Sequence, residues 1–208
     1  MRLYLVAAVL ALAGAYQHVD FTIQQPVSAP PDAKPANLSG ARVNVAGSQP
    51  LRFSAAAPVP YPVESLLNVP GRMSYGDYVW QDEGIAGGPL WVFVDLTSQT
   101  MSVFKGGDEI GATVLLYGAD EKPTPRGRFT VLSKSEHNRS RTYDAPMPFT
   151  LMLTDSGVAI HGSDVRRGAA THGCLGVPLE FARRLFAEMK LGNEVFITGS
   201  PRLVPGRA

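Results

Sequence analysis

From Leu90 onward, apolar residues come in short runs broken every few positions by glycine, proline or a polar cluster. That rhythm leaves room for strands and turns but for few long helices. Leu90–Leu96 and Thr100–Phe104 read as a hairpin around Thr97-Ser98-Gln99, and Gly106-Gly107 marks the next turn. Ile110–Tyr117, Phe129–Leu132, Met147–Leu153, Gly157–Ile160 and Glu194–Thr198 read as further strands, with Pro148 placing its strand at an edge. Between them, Lys122–Gly127 is a loop with two proline-fixed φ angles, and residues 133–146 read as a long polar surface loop, a candidate lid. One helix is expected: Pro178 suits its first position, Leu179, Ala182, Leu185, Phe186 and Met189 recur at helical spacing, and Gly192 closes it. The frequency of Gly (21) and Pro (17) in 208 residues supports the same mostly β (α+β) class.

Within this frame, His161–Pro178 holds the chain's single cysteine, Cys174, and two of its four histidines. A thiol attacks as thiolate and needs a base or cation to reach that state at neutral pH. Histidine titrates nearest neutrality and is the natural partner. His172 stands two residues before Cys174, on the same face if the segment is extended. His161 ends the apolar run and offers a rigid strand terminus beside which a loop can fold the thiol back. Gly173 allows close backbone approach, so the N–H groups of His172, Gly173 and Cys174 form a candidate oxyanion hole. Two alternatives exist: an inert buried cysteine, which a Gly- and His-rich loop argues against, and zinc held by His161, Asp164, His172 and Cys174, whose spacing matches no structural zinc pattern.

His161-Gly162, a spacer, and Thr171-His172-Gly173-Cys174-Leu175, preceded by Val94-Asp95-Leu96 and Pro123-Thr124-Pro125-Arg126-Gly127-Arg128-Phe129, resemble the L,D-transpeptidase family, the YkuD-like domain, over roughly residues 88–200. The resemblance implies a β-sandwich or barrel-like domain with one main helix after the cysteine. It implies peptidoglycan cross-linking through an acyl-enzyme on Cys174, with His161 as base, the Gly162 carbonyl orienting its ring, and His172 lining the site. No cofactor or metal is implied; the partners are peptidoglycan stem peptides and the glycan strand. Two departures stand out: Gly176 occupies a position where the family usually carries Arg or Asn, and the spacer from His161 to Cys174 is short. These resemble a subclass making 1→3 (L-Ala–diaminopimelate) links. The alternatives are 3→3 links, an L,D-carboxypeptidase or amidase, and a non-catalytic wall-binding module. Tyr143, Phe149, Arg166, Arg167 and Thr171 are candidate substrate contacts, with Arg166 or Arg167 supplying the cation that position 176 lacks.

The opening Met1–Ala15, one cation and then an apolar run ending Ala13-Gly14-Ala15, reads as a signal peptide cut after Ala15, or as an uncleaved anchor. Residues 16–71 hold nine of the seventeen prolines and form an exported linker or lead-in, whose second half, 50–71, either stays extended or packs on the domain. The catalytic domain is expected over 72–200, where the aromatics of 72–88 dock, and 201–208 is a tail. A lone cysteine in an exported protein has no internal disulfide partner, which favours a working thiol in the periplasm or cell envelope. A net charge of +1 gives no basis for nucleic-acid binding.

Overall fold

The structure is a computed structural model that describes residues 42–45, 61–69, 71–118 and 122–199. The expected leader, most of the proline-rich segment and the tail lie outside the described residues. Among those described, no helix is long and apolar enough to cross a membrane. The elements are β1 (Arg42–Asn44), β2 (Ser65–Leu67), β3 (Tyr78–Trp80), β4 (Leu90–Asp95), β5 (Thr100–Lys105), β6 (Asp108–Val114), β7 (Gly127–Thr130), β8 (Ser133–Arg139), β9 (Pro146–Met152), β10 (Ala159–Gly162), β11 (Leu175–Val177), α1 (Leu179–Glu188) and β12 (Glu194–Thr198). The class is mostly β, as the run-and-turn rhythm dictates.

The larger sheet has the order β1-β2-β6-β5-β4-β12-β7, with β3 also paired to β6; the smaller has the order β11-β10-β9-β8. β4, near the centre of the larger sheet, is buried on both faces. Its alternation explains why: Val92 and Val94 enter the main core, while Trp91 and Phe93 face outward. The main core gathers Val92, Val103, Ile110, Leu151, Ile160, Leu175, Phe181, Leu185 and Val195 from both sheets and the helix. On the outer face Trp91 stacks on Phe104 at 4.1 Å between ring centroids, with Phe196 set edge-on. Tyr61, Val63 and Leu66 of the lead-in cover that cluster. Residues 61–69 therefore pack on the domain, and Ser65–Leu67 adds a strand beside β6.

Several local expectations change. The third strand covers Asp108–Val114, and Leu116 and Gly118 make single bridges beyond it. The segment expected as a loop over 133–146 is largely strand β8, an edge strand hairpinned to β9. β9 is interior instead of an edge. Its prolines, Pro146 and Pro148, are tolerated because β10 pairs only with Leu151 and Met152, clear of both. Pro178 is the N-cap, one residue outside the helix, and the helix stops at Met189 because that residue is extended. Gly192 instead makes the positive-φ turn (φ 83°) into β12.

Candidate active site

The site is built on the parallel pair β10–β11, in which His161 is opposite Gly176 and Ile160 opposite Leu175. Ile160 and Leu175 point into the core. Side chains alternate, so His161 lies on the other face, and Cys174 is the residue immediately before β11. Sequence order alone left the choice of histidine open. The ladder sets the strand-end histidine beside the segment that begins one residue after the thiol.

His161 is buried, at 8% exposure. Its Nδ1 lies 3.0 Å from the Gly162 carbonyl oxygen and 3.2 Å from Ser163 Oγ. A carbonyl only accepts, so Nδ1 carries the hydrogen and Nε2 is left as the basic nitrogen. Gly162 has no room for a side chain: a Cβ there would fall 2.9 Å from Leu179 Cδ1 and 3.1 Å from Pro148 Cγ. Burial lowers the His161 pKa, partly offset by the Gly162 carbonyl. Burial raises the Cys174 pKa, against the pull of the Ala159 N–H and the charge of Lys122. Both shifts favour thiol and neutral imidazole over a resting ion pair. The thiol itself donates toward the Gly157 carbonyl at 3.5 Å.

The backbone around the thiol is braced from two sides. Thr171 Oγ1 donates to the Cys174 carbonyl at 2.5 Å. Thr124, 4% exposed, accepts from the Gly118 N–H at 2.8 Å and donates to the Gly173 carbonyl at 3.1 Å. Two threonine hydroxyls thus fix the peptide planes on either side of Cys174. Gly173 has φ 100°, a conformation that glycine alone adopts cheaply. At Gly118 a Cβ would fall 2.2 Å from the Lys122 carbonyl oxygen and 2.6 Å from the Gly173 nitrogen. Gly118 is therefore the point where the loop before β7 presses on the turn that carries Cys174.

Of the candidate substrate contacts, Tyr143 stacks on His172 at 4.0 Å between ring centroids and is 45% exposed, with Lys122 Nζ 5.8 Å from its ring. Phe149 turns to the helix and packs on Phe186 at 5.8 Å, on a backbone with φ 54°. Arg166 is exposed and loosely paired with Asp164 at 3.4 Å; Arg167 is also exposed. The structure adds Ser163, Thr124, Gly118 and Lys122, none of which the residue-type search selected. Thr124 sits inside the Pro-Thr-Pro run, and Ser163 follows His161-Gly162 directly, so adjacency to the motif was their only signal.

Fold and site together define a two-sheet β domain with His161 on β10 and Cys174 immediately before its parallel partner β11. The YkuD L,D-transpeptidase catalytic-domain family model matches residues 89–197, more than half of the chain, and the chain belongs to that family. Among solved structures it is similar in fold to an L,D-transpeptidase (Yku) from Stackebrandtia nassauensis: TM-score 0.52, 23% identity, covering 56% of this chain and 58% of that one. It is also similar to an L,D-transpeptidase from Mycobacterium smegmatis, with TM-score 0.50, 22% identity, and coverage of 54% and 59%. A third, from Mycobacterium tuberculosis H37Rv, gives TM-score 0.50 and 22% identity, with coverage of 54% and 58%. The chain thus spans under two thirds of the length of these relatives. No curated protein matches it.

Proposed function

We propose that this chain is a peptidoglycan L,D-transpeptidase of the cell envelope, with Cys174 as nucleophile and His161 as base. The observation that supports the reading is the β10–β11 register, which sets His161 beside the segment opened by Cys174, together with the Gly162 carbonyl at Nδ1, which leaves Nε2 as the basic nitrogen. Nε2 takes the thiol proton as Sγ adds to the carbonyl of an L–D peptide bond in a donor stem. The N–H groups of the His172–Cys174 turn receive the oxyanion, held there by Thr171 and Thr124. The imidazolium then protonates the departing amine, leaving a thioester on Cys174. A diaminopimelate side-chain amine attacks that thioester, gives up its proton to His161, and releases the cross-linked product and free thiol. The energy comes from the peptide bond broken, so no cofactor takes part.

The linkage we propose is 1→3, from cleavage of the L-Ala–D-Glu bond. Its support is the pair of departures from the family pattern, Gly176 in place of Arg or Asn and the short spacer from His161 to Cys174, which resemble the 1→3 subclass. Tyr143 and Thr171 flank the donor path. Exposed Arg166 or Arg167 meets a stem carboxylate; the exposed pair with Asp164 holds Arg166 only weakly, leaving it free to exchange partners. Tandem mass spectrometry of dimers formed from defined stem peptides tests the linkage. L-Ala–diaminopimelate bonds are expected; D-Ala release with only diaminopimelate–diaminopimelate bonds would refute it.

A further inference from the structure

Gly176 is opposite His161 in the ladder, and the Ser163 N–H continues that ladder by donating to the Val177 carbonyl at 2.8 Å. His161 and Ser163 therefore flank Gly176 on one face. A Cβ at position 176 would fall 2.7 Å from Ser163 Oγ and 3.0 Å from Ser163 Cβ. The space that a side chain at 176 would fill is thus occupied by the Ser163 hydroxyl, and that hydroxyl is 3.2 Å from His161 Nδ1. Gly176 itself cannot slide away: its N–H and carbonyl both pair with Leu116, at 2.9 and 2.8 Å.

We infer that Ser163 is a positioning residue for the catalytic base, and that Gly176 is small because Ser163 must reach His161. This rests on the reading of His161 as the base. Nδ1–H is shared between two oxygens, the Gly162 carbonyl and Ser163 Oγ. When Nε2 takes the thiol proton, the charge spreads to Nδ1–H, and two acceptors stabilise it more than one. The carbonyl alone permits some tilt of the ring; the second acceptor narrows that freedom.

The test uses Ser163→Ala and Gly176→Ala in the full chain, measuring kcat, KM and the pH profile of kcat/KM. Ser163→Ala removes only an oxygen, and a fall in kcat of roughly ten-fold with KM nearly unchanged is expected, the scale of one hydrogen bond to a charged group. The acid limb should move to lower pH, because an imidazolium with one acceptor fewer loses its proton more readily. Gly176→Ala should give the same two changes by pushing Oγ aside. In Ser163→Gly, adding Gly176→Ala should cost nothing more, since the obstructing atoms are gone. If Ser163→Ala leaves both kcat and the acid limb unchanged, the inference fails, as it does if Gly176→Ala acts equally with and without Ser163. If Gly176→Ala does not fold, Ser163→Ala alone decides. Cys174→Ala in the same assay separates this failure from that of the proposed function: retained turnover there overturns the chemistry, whatever Ser163 does.

Discussion

The substitution Gly118→Ala probes the brace behind Cys174. Its Cβ would enter a space bounded by backbone: 2.2 Å from the Lys122 carbonyl oxygen, 2.6 Å from Gly173 N and 2.7 Å from Gly173 Cα. No flexible side chain is available to give way. Ordinary contact needs more than 3 Å, so the loop at Lys122 and the turn at Gly173 must separate by about 1 Å. Overpacking of this kind costs roughly 1–3 kcal/mol of stability, a fall of a few degrees in melting temperature for a domain of this size. A displacement of about 1 Å next to the reacting atom costs on the order of a hundred-fold in turnover. The Gly118 N–H bond to Thr124 Oγ1 and the Thr124 bond to the Gly173 carbonyl would be disturbed together. The assay pairs thermal melting with cross-linking turnover, and Gly87→Ala, which meets nothing within 4 Å, is the control. The expected result is a folded protein with much reduced turnover beside an unaffected control. A folded Gly118→Ala protein whose turnover stays within about three-fold would refute the view that this contact positions Gly173 and Cys174.

Three further outcomes follow from the same geometry. His161→Ala should lower turnover by roughly 10²–10⁴, the range for a general base, whereas His172→Ala, which removes a stacking partner of Tyr143, should cost about ten-fold or less; equal or reversed losses in steady-state assays would show that the wrong ring was chosen. Burial lowers the His161 pKa, and the base works only when neutral, so turnover should be lost as pH falls through a value below the ordinary histidine pKa of about 6.5. Burial raises the Cys174 pKa, so its alkylation by iodoacetamide should climb through an inflection above the free-thiol value of about 8.5. Stopped-time alkylation and pH–rate profiles check both limbs.

The legible parts of this chain were those where one residue type carries the whole signal. β4, β5 and β12 announced themselves because their apolar runs are buried on one or both faces. The thiol and its neighbours stood out because a single cysteine among glycines and histidines has few structural uses. β8 was missed for a physical reason: Lys134, Glu136, His137, Asn138 and Arg139 line an edge strand with two largely solvated faces, so no alternation marks it. β9 read as an edge because proline loses a donor, and only the short overlap with β10 shows that the loss goes unfelt. The braces at Thr124 and Gly118 were silent because their partner, Gly173, is distant in sequence, and no local pattern encodes such a contact. The same holds for Ser163, whose meaning depends on the parallel register that sets it against Gly176.

The central claim is that Cys174 is acylated by the donor stem, and intact-mass spectrometry of the protein incubated with donor stem peptide in the absence of acceptor tests it most directly. The account predicts a mass increase equal to the acyl portion of the donor, mapped by proteolysis to the peptide bearing Cys174, lost on addition of a diaminopimelate-containing acceptor as cross-linked dimer forms, and absent in Cys174→Ala. Dimer formation by Cys174→Ala at a substantial fraction of the wild-type rate would contradict it.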